Sequence, residues 1–220
     1  MSKYAILGAT GSTGSSILSV LSASPSAQIN LLVRSKSKLA SISPSSLSNS
    51  NISIYESTIS DISTLANCLS GTKAVFLTVA VSNNISGCSI ATDTTHAVIA
   101  ELMMLKEGDN FWKNTPNFVH NVLYAANSNI YSDRERAERY LRSQRDWVKC
   151  TFMMPGGIVQ DQTFVSFPDV AAAMIELADD EDGEWEGDNV SLVLRDGQKA
   201  RFGWWVLVVL AKGLVIHFAP

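Results

Sequence analysis

The run Tyr4-Ala-Ile-Leu-Gly8-Ala-Thr10-Gly11-Ser12-Thr13-Gly14-Ser-Ser-Ile17-Leu18 constrains this chain more than any other stretch. Apolar residues end in glycines at a G-x-x-G-x-x-G spacing, and an apolar helical pattern resumes at once. A backbone stripped of side chains at those points can turn tightly and let a pyrophosphate approach the amides that open the next helix. The stretch therefore predicts strand, turn and helix arranged around a dinucleotide. Such a turn implies an α/β fold, doubly wound around a mainly parallel sheet.

The next residues continue that pattern. Lys3 to Gly8 reads as a buried parallel strand, and Thr13 to Ser22 as a helix that turns Ile17, Leu18 and Leu21 toward the sheet. Pro25 closes the helix, and Gln28 to Arg34 supplies the second strand of a βαβ unit. A site that selects NAD places an acidic residue about 20 positions beyond the glycines, on the ribose hydroxyls. Here that place holds Arg34-Ser35-Lys36, with Lys38 close behind, a set of cations suited to the 2′-phosphate of NADP. Ser35 to Ser50 is serine-rich, carries Pro44 and shows no helical stripe, which predicts a mobile surface loop.

Asn51 to Glu56 reads as a third strand with Ile52 and Ile54 inward, and Ser60-Asp61 opens a short helix through Ile62, Leu65 and Leu69, ended by Gly71. Lys73 to Val81 is a nearly continuous apolar run, as a central parallel strand requires, and its polar exit Ser82-Asn83-Asn84 falls beside the expected crevice. Thr94 to Lys106 has helical spacing. A strand should come next, yet Glu107 to Pro116 contains no run of four apolar residues, so the usual fifth strand is missing from the pattern. Either the chain has lost it, or the region folds in a way the pattern hides. Asn117 to Ala126 fits a short helix. Ser132-Asp-Arg-Glu135 matches a capping box, and the helix beyond it shows five arginines, Arg134 to Arg145, on an outward face interleaved with Asp133, Glu135 and Glu138. Trp147 to Met154 reads as a strand halted by Pro155-Gly156-Gly157, Pro168-Asp169 opens a helix, and Asn189 to Leu194 closes the strand set at an edge.

One domain over residues 1–220 accommodates these elements, with 155–220 forming a small substrate-side portion. A formal charge of -4 and no basic tail argue against a nucleic-acid partner. Cys68, Cys88 and Cys150 are too scattered for a zinc site or a disulfide scaffold, and His96, His120 and His217 show no ligand spacing, so no metal is expected. Phe202 to Phe218 is strongly apolar but is shorter than the roughly 20 residues of a membrane span and is interrupted by Lys212 and Gly213, which favours a buried terminal helix. With no targeting segment read at Tyr4 to Leu7, the cytoplasm is the expected compartment. No G-x-S-x-G elbow occurs, and no P-loop lysine follows the glycines.

The glycine turn, the Arg34 cluster, the Ser60-Asp61 start, the Tyr131-x-Asp133 helix and the Pro155-Gly156-Gly157 turn, in that order, resemble an atypical short-chain dehydrogenase/reductase, and more narrowly its NmrA-like, NAD(P)-binding subgroup. That resemblance implies a pyrophosphate held by Gly8, Thr10, Gly11, Ser12, Thr13 and Gly14. It implies a 2′-phosphate at Arg34, Ser35 and Lys36, an adenine at Asp61 and Ile62, a ribose at Val79 and Ala80, and a nicotinamide bordered by Pro155 and Gly156. Members that reduce carbonyls use a tyrosine acid with lysine four residues on. None of the five tyrosines here has that lysine; Tyr131, in the matching place, has Glu135. Three functions stay open: hydride transfer to or from a small organic molecule with Tyr131 as acid, a cofactor-binding sensor or regulatory protein, and an isomerase or cyclase.

Overall fold

The computed structural model describes residues 2–81, 86–102, 128–144, 149–153, 158–159, 165–180 and 189–190. Its elements begin with β1 (Ser2–Leu7), α1 (Ser12–Ser22), β2 (Ala27–Val33), α2 (Lys36–Ile42) and a 3-10 turn at Pro44–Leu47. They continue with β3 (Ile52–Glu56), α3 (Ile62–Leu69), β4 (Ala74–Leu77), α4 (Ile90–Leu102) and α5 (Ser128–Ser143). Then come the short strands β5 (Phe152–Met153), β6 (Ile158–Val159) and β7 (Val165–Ser166), the helix α6 (Phe167–Asp179), and β8 (Asn189–Val190).

The first four strands form one parallel sheet in the order β3-β2-β1-β4. Parallel strands need crossovers on the sheet faces, so their side chains are buried on both sides, and β1 alternates accordingly. Tyr4 and Ile6 meet Ile17, Leu18 and Leu21 of α1 together with Ala171, Met174 and Ile175 of α6 on one face. Ala5 and Leu7 meet Leu65, Cys68 and Leu69 of α3 and Val98 of α4 on the other. Ile6, Ile17, Leu31 and Leu65 are wholly buried, and each such side chain contributes about 1.5–3 kcal/mol of transfer free energy. Asn30 is the polar exception in β2: it is buried and donates to the Cys68 carbonyl at 2.6 Å, tying the sheet to the end of α3.

At the opposite edge from the glycine turn, Tyr4 Oη donates to Asp179 Oδ1 at 2.6 Å and Lys73 Nζ to the same oxygen at 2.7 Å. These bonds pin the end of α6 to the sheet. The other face of the molecule is closed by α4 packed on α5. The strands β5 and β8 pair in parallel, as do β6 and β7, in ladders of their own. No helix among the described residues is long and apolar enough to cross a membrane.

Several local expectations are corrected. Ser35 to Ser50 is no mobile loop: Ser35 Oγ accepts from Lys38 N at 3.1 Å, and the wholly buried Leu39 anchors α2 to the core, so one cap and one apolar residue hold a helix that shows no stripe. Ser132 starts no helix, because α5 begins at Ser128 and runs through it. Two charges expected on the outward face of α5 are buried: Asp133, which turns to α4, and Arg142, which bonds Glu138 at 2.6 Å and stacks 4.3 Å from the Phe152 ring. The α4 helix starts at Ile90 instead of Thr94, and β4 is four residues long rather than nine. The expected fifth-strand region at 107–116, the helix at 117–126 and the apolar segment at 202–218 lie outside the described residues, as do Pro155 and Gly156.

Candidate functional site

The carboxyl ends of β1, β2 and β4 lie side by side, with Leu7 in register with Leu32 and with Leu77, so everything that leaves those strands converges on one crevice. The glycine turn leaves β1 there. Gly8 adopts φ +101, and a Cβ on it would stand 2.8 Å from both the carbonyl and the hydroxyl oxygen of Thr78. A Cβ on Gly14 would run into the Gly8 carbonyl and lie 2.7 Å from Thr78 Oγ1. Glycine at 8 thus meets a backbone need and glycine at 14 a spatial one. Thr78 completes the clamp, donating through its amide and its hydroxyl to the Leu7 carbonyl, each at 2.9 Å. Nothing in the sequence reading singled out Thr78, although a hydroxyl interrupting Ala-Val-Phe-Leu-Thr-Val-Ala-Val was the signal available.

The turn delivers the chain into α1 with Gly11 as the residue before the helix, its φ/ψ of -88/167 extended. Among the described residues no side chain bonds the first amides of α1, and no acidic residue stands in its first turn. The other helices differ. Ser35 and Glu56 take amides at the start of α2, Asp61 takes Thr64 N of α3, Asp133 takes Ala91 N and Thr92 N of α4, and Ser166 with Asp169 forms a reciprocal capping box on α6. Amides that open a helix carry a partial positive charge and seek an acceptor. Thr10, Gly11 and Ser12 instead line an open groove of about 540 Å³, together with Ser15 and Ser16 of α1 and with Ile42, Phe167 and Pro168.

Arg34 follows β2 directly. Arg34, Lys36 and Lys38 are all exposed, and among the described residues none of the three cationic groups has an ion-pair partner. Ser35 is half-buried and spends its hydroxyl on Lys38 N and Ser37. Asp61 caps α3 with both oxygens in use: Thr64 Oγ1 donates at 2.7 Å, Ser57 Oγ at 2.8 Å and Ser63 Oγ at 2.9 Å. Those bonds, Thr64's first and Ser57's next, hold its carboxyl well below the usual range. Ile62 is 48% exposed on the first turn of that helix. Val79 is half-buried and Ala80 exposed, just past the exit of β4.

Tyr131 occupies the first turn of α5, partly buried, with the partly buried Glu135 one turn on. Two residues beyond Tyr131, Asp133 reaches α4: its carboxylate accepts from Ala91 N at 2.7 Å, Thr92 N at 3.1 Å and Thr92 Oγ1 at 2.7 Å, while Arg136 bridges to the Cys88 carbonyl at 2.7 Å. Burial alone would raise the Asp133 carboxyl, but the bonds from Thr92 and Ala91 outweigh it and the pKa is lowered. Burial pushes the Cys88 thiol up, which makes it a poor nucleophile. The His96 ring packs at a tilt of 43° against Tyr140, with centroids 3.9 Å apart.

Known proteins agree with this geometry. A family model described as NAD(P)H-binding matches residues 8–165. The chain is 39% identical to oxidoreductase aflX of Aspergillus parasiticus, over all of this chain and 93% of that protein, and 36% identical to oxidoreductase ordB of Dothistroma septosporum at the same coverage. The aflX alignment runs over 249 positions against the 220 residues here, so about 29 of its positions hold no residue of this chain. Among solved structures, ChuY, an anaerobillin reductase of Escherichia coli O157:H7, superposes with a TM-score of 0.64 at 18% identity, over 90% of this chain and all of that one. A wide-type short-chain dehydrogenase/reductase of Veillonella parvula in complex with NADP superposes at 0.59 with 14% identity, over 91% of this chain and 99% of that one. With its parallel sheet, its glycine turn and these relatives, the chain belongs to the NAD(P)H-binding family and has a Rossmann-type fold.

Proposed function

We propose that the chain binds NADP(H) along the carboxyl ends of β2, β1 and β4 and acts as an oxidoreductase on a small organic molecule, at a carbonyl, an alcohol or a related group. One observation supports this best: a helix start to which no side chain among the described residues offers an acceptor, beside exposed cations at the end of the next strand. An anion with two charged ends fits both places at once. On this reading Gly8 to Gly14 hold the pyrophosphate, Arg34, Ser35 and Lys36 the 2′-phosphate, Val79 and Ala80 the ribose, and Pro155 and Gly156 border the nicotinamide. Asp61 shapes the adenine end through the turn it caps, and Ile62 offers an exposed apolar surface there. The names of aflX and ordB as oxidoreductases support the reaction class.

The bound nicotinamide supplies or accepts a hydride. The chain's own part is to hold the cofactor's phosphates, to seat the substrate near the glycine turn, and to move a proton at the substrate oxygen, for which the Tyr131 hydroxyl is the candidate. The residue pattern one turn past Tyr131 favours a second reading. Glu135 stands where the carbonyl-reducing pattern has lysine, so that position supplies no cation to assist the tyrosine, which suits a protein that binds NADP without using it for redox, as a sensor or an isomerase. A single domain over 1–220, with 155–220 on the substrate side, and a cytoplasmic home complete the proposal.

Titration of NADPH and NADH by fluorescence tests the cofactor half. Tight NADPH binding that Arg34→Asp weakens about tenfold or more, in favour of NADH, is expected; an unchanged ratio defeats the 2′-phosphate assignment. Steady oxidation of NADPH with at least one member of a broad carbonyl panel supports the reductase, and binding without any turnover supports the second reading.

A further inference from the structure

We propose that Glu56 is a specificity-determining residue for the cofactor: its carboxylate sits at the 2′-position of the adenosine ribose and holds the preference for NADP over NAD in check. The inference deepens the assignment of Arg34 and Lys36 to the 2′-phosphate and rests on it.

Glu56 is the last residue of β3, in register with Val33, the residue before Arg34. Its backbone cannot drift, because Ser57 N donates to the Val33 carbonyl at 2.9 Å. From that fixed point the side chain crosses the turn between β2 and α2, where Oε1 accepts from Lys36 N at 2.7 Å. The carboxylate therefore lies against the turn that carries the three cations, yet among the described residues it forms an ion pair with none of them. Arg34, Lys36 and Lys38 stay open to solvent while a carboxylate stands among them.

Two ligands meet that arrangement differently. A 2′-phosphate is drawn by the cations but brings a like charge against Glu56, so the carboxylate must swing away or be approached at a cost. A 2′-hydroxyl is a donor, and the remaining lone pairs of Glu56 can accept it. The turn thus carries attraction for one cofactor and an acceptor for the other. A single carboxylate sets the balance between them.

The test isolates the adenosine end by measuring adenosine 2′,5′-bisphosphate and 5′-AMP as competitors of bound NADPH. Glu56→Gln keeps the shape and an acceptor for Lys36 N while removing the charge. It is expected to raise the preference for the bisphosphate about tenfold, by tightening the bisphosphate and leaving 5′-AMP unchanged or weaker. Glu56→Lys should widen the ratio further. A merely structural role for Glu56 would move both competitors together, and a ratio within about twofold of the wild type in both variants overturns the proposal. Arg34→Ala separates the two levels: if it lowers bisphosphate affinity while the Glu56 variants leave the ratio alone, only the Glu56 inference falls. If it also changes nothing, the 2′-phosphate reading falls with it.

Discussion

The starts of α1 and α4 are two answers to one physical problem. Each helix begins with amides that have no partner within the helix, and each follows the carboxyl end of a strand of the same sheet. At α4 the chain fills the vacancy from within: Asp133, brought from α5, accepts two backbone amides and a hydroxyl in a buried position. At α1 the chain does the opposite. It places glycine where a capping side chain would stand, puts no acid in the first turn and opens a groove in front. The difference separates a helix start used to hold helices together from one left for a ligand.

The largest effect is expected at the turn that keeps α1 open. Gly14→Ala puts a methyl group into the Gly8 carbonyl and beside Thr78 Oγ1, where backbone on one side and a bonded hydroxyl on the other cannot yield. Overpacking of that kind costs about 3 kcal/mol, and the displaced turn should also lose the cofactor. Thermal unfolding and NADPH titration on the variant check both; wild-type values in either would show the turn to be softer than its contacts imply.

Asp133→Ala tests the filled start. Removing this buried carboxylate leaves Ala91 N, Thr92 N and Thr92 Oγ1 without their acceptor, and about 2–3 kcal/mol of stability should go. The same carboxylate makes a pH prediction. Its folded pKa is lowered from 3.8, so the unfolded chain takes up the proton first as the pH falls. The stabilisation is complete above that value and fades below it. The gap in unfolding free energy between wild type and Asp133→Asn should therefore narrow below about pH 4, and a gap that is constant down to pH 2 would show that the charge is not what matters.

The two starts were not equally legible. Apolar runs and glycine spacing are local signals, so β1, α1 and β2 were readable within a residue or two, as was the cap at Asp61. Asp133 was read as part of a solvated charged face because its partners are 41 and 42 residues away, and no periodicity on α5 reports them. Glu56 and Thr78 were missed for the same reason: each matters through a neighbouring strand. The helix α2 was hidden because one cap and one buried leucine hold it, without a stripe. The absent fifth-strand pattern falls at 107–116, outside the described residues.

The smallest stability effect and the sharpest functional one should come from making α1 resemble α4. Gly11 has an extended φ of -88, so an aspartate there meets no backbone strain; its Cβ would lie 3.3 Å from the Gly8 carbonyl, a tight contact that a shift of a few tenths of an ångström relieves. Aspartate before a helix is better than glycine by only a few tenths of a kcal/mol, and that small gain is set against the tight contact. Gly11→Asp should therefore unfold within a degree or two of the wild type. Its carboxylate, however, would occupy the amides proposed for the pyrophosphate and repel it, and NADPH affinity should fall more than tenfold, about 1.4 kcal/mol or more. A variant of unchanged stability that still binds NADPH as the wild type does would show that the open start of α1 is not where the cofactor's charge rests.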